Sequence, residues 1–299
     1  MGRKKGMLIL YPVIVILLAI IVVLVISALV GWGLTHPKRE KVNISPDHAG
    51  LKYENVHFKS RGNSISLKGW LLPSPGSNKT VIFAHGYAKN RLQTDVPALP
   101  IAQSLIENGY NVLMFDFRNS GKSEGNITSI GQFETQDLLG AVDYIKSRPD
   151  INKDIVLFGF SMGAATSILA GAREPSVSAV IADAPFADLN NYLMQNLSVW
   201  SKLPAFPFNQ SFLIIVPLIT GLKPSTVSPV KEIKNFNGRP LLLIHGEKDT
   251  AIPILHSEML QKAYPKAQLF KVPGAGHIKS YATAKEIYIQ KIFDFLNKI

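Results

Sequence analysis

The hydrophobic pattern divides the chain into a short apolar segment and a long alternating one. Residues 1–6 are basic, and positions 7–30 carry no charged side chain. A membrane-spanning helix needs about 20 such positions, so we predict a transmembrane anchor over 7–30. The alternatives are a buried core helix and a cleaved signal peptide, whose apolar stretch is usually about 7–15 residues long. Residues 31–50 are mostly polar, contain Pro37 and Pro46, and are predicted to form a linker.

Residues 51–299 alternate between strand and helix patterns. β-rich runs occur at 55–59, 64–72, 80–84, 111–115, 155–160, 178–182, 241–245 and 268–272. Several of the later runs are apolar on both faces, which is typical of parallel strands covered by helices. Helical spacing of apolar residues indicates helices over 96–108, 133–147, 162–173, 255–263 and 282–298. The sequence therefore predicts an α/β domain with a mostly parallel eight-stranded sheet, helices on both faces and a ligand site at the carboxyl ends of the strands.

One segment, residues 185–237, interrupts this alternation and is too long for a simple connection. It contains Trp200 and an apolar run at 212–216. We predict a helical cap inserted over the sheet. Its apolar side chains either line a substrate pocket or form the small core of the cap, which is the commoner role of any single apolar residue.

Charge and cysteine content narrow the classes of partner. The formal net charge is +11 and there is no cysteine, which excludes a disulfide scaffold, a thiolate metal site and a cysteine nucleophile. The excess of basic residues fits a surface that keeps the protein soluble, or attraction to anionic lipid headgroups or cell-wall polymers near the anchor. No run of Lys and Arg with interleaved aromatic residues is present, so nucleic acid is not expected as a partner.

Basic residues also bear on the orientation of the predicted span. They precede it at 3–5 and follow it at 38–41, so the positive-inside rule is nearly balanced. We expect the N-terminus inside and the domain at 51–299 outside the cytoplasm, held at the cell membrane by a single pass.

The pattern Gly-x-Ser-x-Gly occurs at 121–125 and again at 159–163. Because so short a pattern arises by chance, its surroundings must decide between the two serines. A polar stretch without helical spacing follows Ser123, so we interpret that match as a loop. Ser161 stands between an apolar strand and a strong helix. A sharp strand-to-helix turn exposes a serine and directs the free N–H groups of the helix towards it, so Ser161 is the predicted nucleophile.

A serine nucleophile needs a base, and the chain has seven histidines. His277 lies in a glycine-rich loop after the last predicted strand, from which an imidazole can reach Ser161, and is the predicted base. His85 and His245 end strands and are expected to hold their loops by backbone hydrogen bonds. His256 falls in a predicted helix and is expected at the surface.

A carboxylate must orient that base, and two backbone donors must stabilise the developing oxyanion. Asp249 directly follows a buried strand and is the predicted orienting acid. Glu247, in the same loop, and Asp183, at the end of the preceding strand, are the alternatives. The predicted oxyanion donors are the backbone N–H groups of Met162, after the nucleophile, and Tyr87, in the loop after strand 80–84.

Five short motifs appear in an order that resembles the α/β-hydrolase superfamily. They are His-Gly at 85–86, Asp-x-Arg-x-x-Gly-x-Ser at 116–123, Gly-x-Ser-x-Gly at 159–163, the 245–249 loop and Gly-His at 276–277. The resemblance covers about 56–295 and is strongest to bacterial membrane-anchored hydrolases of the serine-aminopeptidase, monoacylglycerol-lipase and esterase branches. It implies an α/β-hydrolase fold with nucleophile, acid and base in chain order. It also implies that the 116–123 stretch is structural and that Asp116 and Arg118 form an ion pair.

The order of the motifs predicts two-step acyl transfer with Ser161 as nucleophile and His277 as base, and no metal or organic cofactor is implied. The apolar cap and the predicted anchor favour a small-molecule or lipid carboxylic ester as substrate. A serine peptidase of the aminopeptidase type and a thioesterase are the enzymatic alternatives. A surface binding protein that has kept the fold without catalysis is an alternative of a different class. The sequence predicts no oligomeric state.

Overall fold

Eight strands form one sheet in the computed structural model, which describes residues 2–299 and, in side-chain detail, residues from Tyr11 onwards. The strands run in the order β1-β2-β4-β3-β5-β6-β7-β8. β1 pairs antiparallel with β2, β2 pairs antiparallel with β4, and every other pair is parallel. Their bounds are β1 Glu54–Lys59, β2 Ser66–Leu72, β3 Lys79–Ala84, β4 Asn111–Phe115, β5 Asp154–Phe160, β6 Val177–Asp183, β7 Leu241–Gly246 and β8 Gln268–Val272.

Helices cover both faces of this sheet, as the apolar strand pattern predicts. Neighbouring side chains of β5 point to opposite faces, so Leu157 joins one apolar cluster and Phe158 joins the other. The mostly parallel α/β prediction is confirmed. The helices are α1 Gly2–Thr35, α2 Ala98–Glu107, α3 Glu134–Lys146, α4 Met162–Arg173, α5 Leu189–Ser201, α6 Ala205–Thr220, α7 Pro229–Glu232, α8 Leu255–Ala263, α9 Ser280–Thr283 and α10 Lys285–Leu296.

The C-terminal helix differs from its prediction. Instead of one helix over 282–298, the chain forms α9 and α10 on either side of Ala284. Ala284 has φ −141° and ψ 51°, which lie outside the helical region, so the hydrogen-bond ladder cannot continue through it.

The cap is formed mainly by α5 and α6, which lie between β6 and β7. Asp188 begins α5 by accepting a hydrogen bond from the backbone N–H of Asn191 at 2.9 Å, which satisfies one free donor of the first turn. Side chains of both helices, including Leu193 and Phe212, pack with Leu169 of α4 in a third apolar cluster. The cap is thereby held over the helix that follows Ser161.

The N-terminal helix α1 stands apart from the two large clusters. Its segment Tyr11–Thr35 is long enough and apolar enough to cross a membrane, since an 18-residue stretch of it has a mean hydropathy of 3.7 and only 6% of that stretch is buried. That exposure is contrary to a buried core helix, whereas an anchor and a signal sequence both fit. The helix continues to Thr35 instead of ending at Val30. Met1 and the side chains of residues 2–10, which include the basic residues predicted to precede the span, lie outside the described part.

Candidate active site

The turn between β5 and α4 holds Ser161 in an unusual backbone conformation, with φ 54° and ψ −116°. Only glycine fits on either side of it. A Cβ on Gly159 would stand 2.1 Å from the carbonyl oxygen of Gly163, and a Cβ on Gly163 would stand 2.0 Å from that of Ala84. The two glycines let β3, β5 and α4 approach closely enough for this turn to form. Steric contacts in this fold therefore explain both glycines of the Gly-x-Ser-x-Gly motif at 159–163.

Three side chains that are far apart in sequence meet at this turn. Nε2 of His277 lies 2.9 Å from Oγ of Ser161, and Nδ1 of His277 lies 2.7 Å from Oδ2 of Asp249. The second oxygen of Asp249 accepts hydrogen bonds from the N–H groups of Ala251 at 2.9 Å and Ile252 at 2.8 Å. A proton on Nδ1 is held by the carboxylate, which leaves Nε2 free to accept the serine proton.

The carboxyl group of Asp249 is held in its ionised form. Burial alone would raise its pKa, but hydrogen bonds from His245 and His277 outweigh burial and lower the pKa to about 2. His245 was predicted to hold its loop, and its Nε2 does lie 2.8 Å from the carbonyl oxygen of Ile252. The same Nε2 is 3.4 Å from Oδ2 of Asp249. Sequence reasoning missed this second contact, although the spacing of four residues on one strand end could have indicated it.

The two alternative acids are placed differently. Asp183 is fully buried, accepts a hydrogen bond from the hydroxyl of Tyr288 at 2.9 Å, and has its pKa raised by burial to about 6. Glu247 is exposed. Within the described part of the chain, His277 makes no hydrogen bond to either carboxylate. The geometry therefore favours Asp249 as the partner of His277.

The predicted oxyanion donors lie on two sides of Ser161. Met162 is the first residue of α4, and Tyr87 follows β3. Both residues line the same pocket as Ser161, and neither backbone N–H has an acceptor among the residues that the structure describes. The neighbouring N–H of Gly86 is instead bonded to Oε1 of Gln93 at 2.5 Å. An anionic oxygen bound above Ser161 would supply the two missing acceptors.

The sequence predicts that His85 holds its loop and that His256 lies at the surface, and the structure agrees with the first prediction only. His85 holds its loop as predicted, since Nε2 accepts from the N–H of Phe117 at 3.0 Å and Nδ1 lies 2.8 Å from the carbonyl oxygen of Gly86. The prediction that His256 lies at the surface is wrong. Its ring is buried where α8 meets the start of the cap, 3.3 Å from the N–H of Ala187, and burial lowers its pKa to about 4.

The predicted ion pair between Asp116 and Arg118 is also wrong. Asp116 pairs with Arg91 at 2.6 Å, and Arg118 pairs with Asp137 at 2.6 Å, all four groups being buried. The reason is local. The carboxylate of Asp116 closes its own turn by accepting from the N–H of residue 122 at 2.8 Å. The backbone N–H of Arg118 is bonded to the carboxylate of Asp137, which keeps the guanidinium beside that group.

The serine of the first Gly-x-Ser-x-Gly match belongs to this structural region. The hydroxyl of Ser123 donates to the carbonyl oxygen of Asp116 at 2.6 Å and accepts from the N–H of Lys68 at 2.9 Å. Both partners are backbone groups, and no imidazole is among the hydrogen-bond partners of Ser123 in the described residues. Ser123 lies in a loop, as its sequence context predicts, and its hydroxyl joins that loop to β2.

A largely apolar pocket opens above Ser161 and beneath the cap. It contains about 760 Å³ of space that no atom fills, including the open solvent at its mouth. Its walls come from the active-site loops, the cap and the end of α1: Leu34, Thr35, Tyr87, Ser129, Ile130, Ser161, Met162, Phe186, Leu189, Tyr192, Leu193, Leu197, Trp200, Phe212, Val216, Leu222, Pro224 and Ile252. The cap residues Leu193 and Phe212 belong to both the third cluster and this lining, so they fill both of the roles weighed for cap side chains.

With this geometry in view, comparison with known proteins identifies the family. The sequence model described as "Serine aminopeptidase, S33" matches residues 76–228, which is just over half of the chain. The chain belongs to this family of α/β-hydrolases. The hydrolase therefore has the α/β-hydrolase fold that its motifs resemble, and its activity is hydrolytic. The matched region includes Ser161, Tyr87 and Met162, whereas Asp249 and His277 lie beyond it.

Similar proteins cover most of the hydrolase. YqkD of Bacillus subtilis is 31% identical over 237 residues, which are 78% of this chain and 76% of that protein. YfhR of Escherichia coli K12 is 30% identical over 253 residues, 81% of this chain and 80% of that protein. Both are described as uncharacterised. A solved esterase of Pyrococcus furiosus superposes with a TM-score of 0.73 and 28% identity over 89% of this chain and 98% of the esterase chain.

Proposed function

We propose that this hydrolase cleaves carboxylic esters by a serine mechanism, with Ser161 as nucleophile, His277 as base and Asp249 as the orienting acid. The observation that carries the proposal is the unbroken row of hydrogen bonds from Asp249 through His277 to Ser161, at the floor of an apolar pocket. The solved esterase with the same fold over most of its length supports the choice of substrate class.

The proposed reaction proceeds in two steps. As Oγ of Ser161 attacks the ester carbonyl carbon, its proton moves to Nε2 of His277 and the carbonyl oxygen becomes an oxyanion held by the N–H groups of Tyr87 and Met162. The imidazolium then protonates the leaving alcohol, and an acyl-enzyme remains. A water molecule, deprotonated by His277, releases the carboxylic acid and restores Ser161. The ionised carboxylate of Asp249 stabilises the imidazolium in both steps.

An aminopeptidase activity is the second candidate, because of the description of the family. Binding the free amino end of a peptide calls for an acidic side chain in the pocket. Among the described residues that line it, none is Asp or Glu. This lining favours an uncharged acyl group over a peptide, and it does not distinguish an oxygen ester from a thioester.

A covalent probe tests the nucleophile and the substrate class together. We expect a fluorophosphonate to label the full-length protein in detergent, and peptide mass mapping to locate the label at Ser161 and not at Ser123. The labelled protein should lose hydrolysis of p-nitrophenyl butyrate, and the unlabelled protein should cleave this ester far faster than alanine p-nitroanilide. Label at another residue would refute the assignment, and faster cleavage of the anilide would favour the peptidase.

We further propose that α1 is an uncleaved single-pass anchor that holds the hydrolase domain, residues 51–299, at the outer face of the cell membrane. The hydropathy of Tyr11–Thr35 supports an anchor. The end of the helix also makes side-chain contacts with the rest of the protein, which a segment destined for removal does not require. Protease protection of residues 51–299 in sealed inside-out vesicles, and digestion in intact cells stripped of their wall, would support this orientation.

A further inference from the structure

The last turns of α1 pack against helix α6 of the cap through small residues. Oγ of Ser27 lies 2.6 Å from Oγ of Ser211, and both side chains are buried. One turn later, a Cβ on Gly31 would stand 2.2 Å from Cγ2 of Val216 and 3.2 Å from the ring of Phe212. The absence of a side chain at Gly31 therefore lets the two helices touch, and the cap residues at this contact are also pocket residues.

The same end of α1 reaches the active-site loops. The phenol of Tyr87 donates a hydrogen bond to the carbonyl oxygen of Leu34 at 2.6 Å, and the N–H of Thr128 donates to that of Thr35 at 2.8 Å. The side chains of Leu34 and Thr35 line the pocket that contains Ser161. The end of the apolar helix is thus fixed to the loop that carries a proposed oxyanion donor.

We infer that the last turns of α1 form a wall of the substrate site and that Leu34 helps to set the length of the acyl chain that the site accepts. The inference rests on the proposed function and goes further, because it assigns a membrane-anchor residue to substrate selection. A linear acyl group attached to Ser161 would enter a pocket lined by both Leu34 and apolar side chains of the cap. Each methylene that it buries there should raise kcat/KM by about fourfold until the chain meets the wall.

A pair of identical substitutions on α1 tests this role. In Leu34→Trp, an indole ring larger than the leucine side chain projects into the pocket. The control is Leu29→Trp, because Leu29 is 69% exposed on the same helix and does not line the pocket. The full-length variants, in one detergent, are assayed with p-nitrophenyl esters of two to twelve carbons. We expect Leu34→Trp to lower kcat/KM for the ten-carbon ester at least tenfold and for the two-carbon ester less than threefold. Leu29→Trp should leave the profile unchanged.

Two further outcomes keep the inference separate from the proposed function. If wild type cleaves the esters and Leu34→Trp gives the same chain-length profile as Leu29→Trp, α1 is only a tether and the inference is wrong. If wild type cleaves no ester, the proposed function itself fails. Should Leu34→Trp not fold, the smaller Leu34→Ala must instead move the preferred ester towards longer chains, and an unchanged preference would overturn the inference.

A second, independent observation concerns the outer surface of the cap. Between residues 189 and 222 the only charged residue is Lys202. Outside α1, five of the nine exposed large apolar side chains of the described residues lie on α5 and α6: Met194, Phe206, Ile214, Leu218 and Ile219. Because α6 packs directly on the apolar helix α1, this cap face lies beside the anchor. Such a patch on a soluble domain normally marks an interaction site.

We propose that the exposed face of α5 and α6 lies in the lipid of the bilayer that α1 spans. The anchor holds α6 at the level of Ser27 to Thr35, at the end of the apolar span, where the acyl region gives way to the headgroups. Lys202, between α5 and α6, and Lys223, shortly after α6, are both exposed and can reach anionic headgroups. Burying Ile214 and Leu218 in lipid would remove apolar surface from water without any change in the fold.

The lack of native cysteine makes this placement directly measurable. Ile214→Cys and the control Ile287→Cys replace isoleucines that are 61% and 52% exposed, the second on α10. Each is labelled with a nitrobenzoxadiazole probe and reconstituted in full-length form into nanodiscs of phosphatidylcholine and phosphatidylglycerol. Brominated acyl chains should quench the probe at position 214 at least twofold more than at 287. Equal quenching would refute lipid contact, and protection at 214 that depends on protein concentration would indicate a second copy instead.

Discussion

Ser161→Ala should lower kcat for p-nitrophenyl butyrate about a million-fold, which is the scale of loss when a serine nucleophile that acts as a unit with its base is removed. The missing hydroxyl leaves His277 without a proton to accept, so the first step of acyl transfer cannot occur. The fold should persist, because the hydroxyl of Ser161 is bonded to His277 and contributes no cap to α4. Stopped assays with purified full-length protein, checked by circular dichroism, measure this loss.

Ser123→Ala is the matched control from the other Gly-x-Ser-x-Gly match. Ser123 joins two backbone groups, so its loss should cost about 1–3 kcal/mol of stability while kcat changes by less than about threefold. If the two variants exchanged these phenotypes, Ser123 would be the nucleophile. If Ser161→Ala kept more than about a hundredth of the activity, the serine mechanism would have to be abandoned.

These two serines show how far the sequence alone could be interpreted. The short motif is the same for both, and the strand and helix patterns on either side separated them. Those patterns depend on neighbouring residues, which a single sequence contains in full. β5, α4 and α8 accordingly lie within one residue of their predicted bounds.

Pairings across the fold were harder to predict. Asp116 was matched with Arg118, two residues away, whereas its partner Arg91 is 25 residues away in sequence. Which arginine pairs with Asp116 depends on the turn that the Asp116 carboxylate closes, and hydrophobic periodicity does not reveal such a turn. The same limit explains His256, whose burial depends on the cap packing over α8.

The end of the apolar helix α1 is a third feature that the sequence alone did not predict. The hydropathy pattern ends the span at Val30, but the helix continues to Thr35, whose hydroxyl donates to the carbonyl oxygen of Gly31 at 2.9 Å. Contacts with α6 stabilise these extra turns. A linker prediction over 31–50 therefore missed residues that line the pocket, because the deciding contacts are tertiary.

Asp249→Asn, compared with Asp183→Asn, should separate the predicted acid from its strongest rival. The side-chain amide introduced at position 249 would keep one oxygen for the N–H groups of Ala251 and Ile252, so the loop should stay in place. Its NH₂ group, however, would donate to Nδ1 of His277 and force the proton onto Nε2, which could then no longer accept from Ser161. We expect kcat to fall about ten-thousandfold, as expected when the base is held in the wrong tautomer.

Asp183→Asn should leave kcat within about tenfold, because its carboxyl group faces Tyr288 and Ser280 instead of His277. The hydroxyl of Tyr288 can still donate to the new amide oxygen, and Oγ of Ser280 can accept from the amide nitrogen. Assays of both variants with p-nitrophenyl butyrate at pH 8 measure the contrast. A large loss in Asp183→Asn with normal activity in Asp249→Asn would reverse the assignment.

Stability as a function of pH distinguishes the same two carboxyl groups. The pKa of Asp183 is raised by burial from 3.8 to about 6, so its favourable contribution is present below about pH 4 and is lost as the pH rises through 6. The pKa of Asp249 is lowered to about 2, so its contribution is present above about pH 4 and is lost as the pH falls towards 2.

Because wild type loses the contribution of Asp183 as the pH rises, the free energy of unfolding of Asp183→Asn minus that of wild type should increase from pH 4 to pH 8, by about 1–3 kcal/mol. Urea denaturation at pH 4, 6 and 8 measures this difference, and a difference that does not change with pH would show that the Asp183 carboxyl is not held in its protonated form by burial.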